Sequence, residues 1–93
     1  MSVLVVGGDH LGNIPAKLEQ AGFTRIQHVS GRKTNHLFLD IPDQVDYVLV
    51  LVDYVNHGLA GIIKEKCRNS GKKAIFARRA WSHIAQALTR DVN

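Results

Sequence analysis

Tyr47-Val48-Leu49-Val50-Leu51-Val52 is apolar at every position, rich in β-branched residues, and stopped by Asp53. An unbroken apolar run of this length reads as a strand buried on both faces, which belongs in the interior of a parallel sheet. It falls far short of the roughly 20 residues needed to cross a bilayer as a helix.

On the N-terminal side, Ser2-Val3-Leu4-Val5-Val6 follows the same pattern and ends at Gly7-Gly8, so it reads as the first strand. Leu11, Ile14, Leu18 and Ala21 then recur at helical spacing, with Asn13 expected to cap, Pro15 suited to the first turn and Gly22 to the end. Phe23 to Val29 alternates weakly and reads as a second, less buried strand. Between Arg32 and Asp46 the pattern allows a short helix ending before Pro42. On the C-terminal side, Leu59, Ile62, Ile63 and Cys67 mark one face of a helix that stops at Gly71. Lys72 to Ala77 supplies the fourth strand, and Trp81, Ile84, Ala85 and Leu88 give the last helix its buried face.

Strands and helices therefore alternate, which implies parallel strands joined by right-handed crossovers. The expected fold is α/β: a small four-stranded parallel sheet in the order 2-1-3-4, flanked by helices, Rossmann-like or flavodoxin-like. In that order the first strand lies beside the third, the chain reverses direction between them, and ligands bind beyond the carboxyl ends of the strands at this switch point. With 93 residues there is material for one core, so residues 1–93 read as a single domain.

The formal charge of +4 favours an anionic partner, such as a small anionic ligand or cofactor or a nucleic acid. The single cysteine excludes an internal disulfide and the multi-cysteine zinc folds, and with no leader pattern at the N-terminus the expected compartment is the cytoplasm. A four-stranded sheet leaves two edges exposed, so a homodimer is expected, formed by association or by exchange of an element.

The topology gathers polar residues at one rim. The first strand delivers Gly7, Gly8, Asp9 and His10; the second, Ser30, Gly31, Arg32 and Lys33; the third, Asp53, Tyr54, Asn56 and His57; the fourth, Arg78 and Arg79. Taken singly, these are ordinary strand-ending and loop residues, and it is their convergence that suggests a site. Gly7-Gly8-x-x-x-Gly12 lets the backbone approach a ligand where a helix begins, but it is neither the dinucleotide fingerprint nor a P-loop, which disfavours a complete NAD enzyme. Arg32, Lys33, Arg78 and Arg79 are suited to holding phosphate or carboxylate. His10 and His57 follow neighbouring strands and are the candidate ligands of a metal or haem iron. Cys67 is the third candidate ligand, but on a straight helix it lies about 15 Å from His57, and its register with Leu59 and Ile63 favours a buried thiol.

Val5-Val6-Gly7-Gly8-Asp9-His10, the Gly31-Arg32 turn, Asp53-x-x-x-His57, Lys64-x-x-Cys67 and Gly71-Lys72-Lys73 together resemble a bacterial family known as domain of unknown function 2325. The resemblance covers nearly the whole chain and departs from the family pattern at Arg78-Arg79-Ala80-Trp81. It implies an α/β sandwich and a bound cofactor, haem among the candidates, rather than turnover. The leading expectation is a non-catalytic cofactor- or ligand-binding module, with haem the most specific ligand. The alternative is a regulatory module that binds nucleotide or nucleic-acid phosphate through the four basic residues. An enzyme ranks last, because no nucleophile, base and oxyanion site assemble from these residues.

Overall fold

The computed structural model describes residues 1–30 and 40–92. The helix expected before Pro42, and Arg32 and Lys33 themselves, lie outside the described residues. The described elements are β1 (Ser2–Val6), α1 (Ile14–Gln20), β2 (Arg25–Val29), β3 (Tyr47–Leu51), a 3-10 turn (Val52–Tyr54), α2 (His57–Ser70), β4 (Lys73–Ala77) and α3 (Trp81–Val92).

All strand pairs are parallel and the sheet order is β2-β1-β3-β4, as expected. β1 and β3 occupy the middle because both of their faces are apolar. Val3, Val5, Leu49 and Leu51 face one core with Ile14 and Leu18 of α1 and Ile84, Ala87 and Leu88 of α3. Leu4, Val6, Val48 and Val50 face the other, with Leu59, Ile63 and Cys67 of α2. Thus α1 and α3 cover one side of the sheet and α2 covers the other.

Several local expectations are corrected. Phe23 belongs to a helix-ending turn rather than to the second strand. Gly22 N–H donates to Glu19 O at 3.0 Å and Phe23 N–H to Leu18 O at 3.1 Å, closing α1, and the Phe23 ring drops into the core edge-on to Tyr47 at 5.8 Å. Asn13 stands at the N-cap of α1, but its side chain makes no capping bond; the Ile14 N–H goes to Leu11 O instead, at 3.0 Å. Ala87, three residues after Ile84, fills the buried register of α3, and Ala85 is half-buried beside it. Val52 leaves the sheet for the 3-10 turn and is 40% exposed. Among the described residues, no helix is long and apolar enough to cross a membrane.

Candidate functional site

The loop after β1 is fixed from three sides. Gly7 N–H extends the sheet ladder to Val29 O at 2.9 Å. Gly7 adopts φ +118°, and a Cβ there would lie 3.0 Å from Val55 Cγ2 and 3.2 Å from Leu51 O. Glycine at this position is therefore required by close packing against the end of β3. Gly8 also has a positive φ, +79°, but a Cβ there would meet open space.

His28, near the end of β2, holds the same loop. Its Nε2 lies 3.1 Å from Gly7 O and 2.8 Å from Gly8 O. Carbonyl oxygens only accept hydrogen bonds, so Nε2 carries the proton and donates to both. The sequence reading missed His28 because the partners that give it meaning are backbone carbonyls, which leave no side-chain signature. The parallel register that sets His28 beside Val5 is what brings its ring to this loop.

From the other side, Arg79 bridges the ends of three strands. Its backbone N–H donates to the Asp53 carboxylate, at 3.1 Å to Oδ1, which ties β4 to β3. Its Nη2 donates to His10 O at 2.6 Å, which ties both to the β1 loop. Gly12 lies beside this guanidinium at φ +57°; a Cβ there would sit 3.6 Å from Nη2, in ordinary contact, so it is the backbone conformation rather than crowding that favours glycine. The His10 backbone is thereby anchored while its side chain stays exposed.

Two adjoining cavities flank the loop. The larger, about 620 Å³, has Leu11, Pro15 and Ile26 as apolar walls and Asp9, His10, Glu19 and His28 as polar ones. The smaller, about 250 Å³, is lined by Gly8, Asp9, His10, Tyr54 and Arg79. Asp9 and His10 border both cavities. The larger volume falls in the ~300–1,000 Å³ range typical of small-molecule sites. An apolar notch of about 200 Å³ beside Phe23, Trp81 and Leu88 carries none of these groups.

The rim thus unites Gly8, Asp9, His10, Asp53, Tyr54 and Arg79 from the expected set and adds His28. Arg78 is exposed and lines neither cavity. His57 opens α2 and lines neither cavity. The reason is topological: the chain leaves β1 for one face of the sheet and β3 for the other, so His10 and His57 depart in opposite directions. Cys67 is 1% exposed within the α2 core, ten positions beyond His57 on one continuous helix. Burial pushes its thiol above the ordinary value of 9.0, with Lys72 partly offsetting the rise, so the metal-binding thiolate is disfavoured. The helix-start anion site expected at Gly12 is weakened as well, because the Ile14 N–H is already donated and Pro15 has none. Among the described residues, no group of three or more His, Cys, Asp or Glu side chains is arranged to hold a metal ion.

Fold and rim together define a small parallel α/β domain of flavodoxin-like strand order, with a preorganised polar loop at the switch point between β1 and β3. A family model described as an uncharacterized protein conserved in bacteria, DUF2325, matches residues 2–90. The chain belongs to that family. Comparison with curated proteins and with solved structures gives no match.

Proposed function

We propose that the protein is a non-catalytic ligand-binding module whose ligand sits at the β1–β3 switch point, and that haem is the ligand its walls suit best. One observation carries this reading: His10 borders both a cavity of about 620 Å³, whose walls are part apolar (Leu11, Pro15, Ile26) and part polar, and a smaller cavity containing a fixed arginine. In this reading the imidazole of His10 meets the iron, and Leu11, Pro15 and Ile26 lie against the macrocycle. Arg79 spends one guanidinium donor on His10 O and has others for an acidic periphery. Glu19, which lines the larger cavity and not the smaller, repels carboxylates and so orients the ligand with its acidic edge toward Arg79. Bound haem would supply an iron centre, and the chain would supply its orientation and its polar surroundings.

The polar walls at Asp9, His10, Glu19 and His28 are exposed, so the cleft covers only one side of a flat ligand. A second copy of the chain closes it in this reading, and haemin is then expected to raise the mass seen by light scattering from monomer toward dimer.

The direct test is titration with haemin. A Soret band that shifts on binding to the wild type and is lost or strongly weakened in His10→Ala supports the reading. A protein that gives no bound-haem spectrum, or a His10→Ala variant that binds equally well, removes it. The phosphate-binding alternative draws on Arg79 at the smaller cavity, and it calls for nucleotide or nucleic-acid affinity that falls steeply with added salt.

A further inference from the structure

Among the described residues, two of the three exposed large hydrophobic side chains, Val52 at 40% and Tyr54 at 50%, stand on the single 3-10 turn that follows β3. Scattered singly, such residues need no explanation; side by side within a charged rim, they form a surface that a partner can cover.

The sheet order fixes what flanks the turn. Asp9 follows β1, the turn follows β3 and Arg78 follows β4, and these three strands are neighbours in that order, so along this end of the sheet the rim runs acidic, apolar, basic. Asp9 and Arg78 are both exposed. Asp9 and Tyr54 border the same small cavity, and the Arg79 N–H, donated to the Asp53 carboxylate at 3.1 Å to Oδ1, brings the residues after β4 up to the turn. That bond also occupies the one acid within the apolar segment. A strip ordered in this way complements itself: rotated by a two-fold axis at its apolar centre, each acid meets a base and the two apolar turns meet each other.

We infer that this rim is the surface on which a second copy of the chain docks, rim to rim about a two-fold axis at the Val52–Tyr54 turn, with Asp9 of each copy opposite the partner's Arg78. The second copy then roofs the small cavity and supplies the wall that the open cleft lacks. The inference deepens the ligand reading by naming the face that closes the cleft, yet it stands on the surface alone and is tested without haemin. A strip this narrow holds free copies together weakly, in the manner of transient contacts.

The test is disulfide trapping. Close to a two-fold axis a residue meets its own counterpart, so Tyr54→Cys is expected to yield a covalent dimer under mild oxidation, while Lys73→Cys, at the opposite end of the sheet, stays monomeric. Cys67 is buried and takes no part. Added to Tyr54→Cys, either Asp9→Arg or Arg78→Asp sets like charges across the axis, and each is expected to slow trapping at least about tenfold. Mixing the two charge-reversed proteins makes both cross-axis pairs opposite in sign again, and trapping is expected to return as a dimer with one copy of each. Trapping at residue 54 no faster than at residue 73, rates indifferent to both reversals, or no recovery in the mixture each overturn the inference. Should Asp9→Arg not fold, the comparison of residues 54 and 73 and the exposed Arg78→Asp change still decide it. Because no haemin is present, failure here leaves the His10 titration standing, and failure of that titration leaves the trapped dimer standing.

Discussion

At the scale of single residues, neighbouring glycines have different reasons to be glycine. Gly7→Ala forces a Cβ to within 3.0 Å of Val55 Cγ2 at φ +118°, whereas Gly8→Ala meets no neighbour and faces only its φ of +79°. In urea denaturation the first is expected to cost about 2–4 kcal/mol and the second about 1 kcal/mol. Equal losses would show that packing at Gly7 is not the cause. Cys67 gives a second expectation. Its thiol is raised in the folded state, so the folded form favours the protonated group. The stabilisation is therefore complete below the unfolded thiol's range and declines as pH climbs through it toward the raised folded value. Iodoacetamide is expected to spare Cys67 until the chain unfolds. The stability of Cys67→Ala should fall less between neutral and alkaline pH than that of the wild type. Of the site, Asp9, His10, Asp53 and Arg79 were readable from sequence because they follow strands. His28 was not, because it lies within a strand and acts through main-chain oxygens.

At the scale of elements, helix starts and strand ends separate what composition reveals from what geometry decides. Asn56 caps α2, its Oδ1 accepting the Leu59 N–H at 2.7 Å, and Asn56→Ala is expected to lower the unfolding free energy by about 1 kcal/mol. A urea midpoint unchanged from wild type would show that the cap is replaced from elsewhere. Asn13, of the same residue type and also at a helix start, makes no such bond, so the sequence signal was equal at the two positions and only the backbone distinguishes them. The apolar run from Tyr47 is legible as a strand to Leu51. Val52 extends the pattern without extending the ladder, because the chain must turn there toward the opposite face. Phe23 misled for a related reason: an aromatic beside an alternating run reads as strand, yet the Gly22 turn aims it into the core before β2 begins.

At the scale of the whole molecule, the order β2-β1-β3-β4 was legible because two wholly apolar strands demand the centre and parallel crossovers have one hand. The same topology places α1 and α2 on opposite faces, which separates His57 from His10 and leaves His28, on the strand beside β1, as the imidazole sharing the cleft. In the proposed reading this cleft, rather than the apolar notch beside Trp81 or the opposite end of the sheet, receives the ligand. An amide 1H–15N correlation map of labelled protein titrated with haemin tests it most directly. The expected result is early broadening at Gly8, His10, Gly12, His28, Tyr54 and Arg79, with Met1, Asp46, Lys73 and Val92 unaffected. Broadening that begins at Trp81, Leu88 and Val92, or at Met1 and Lys73, with the β1 loop unchanged, would contradict it.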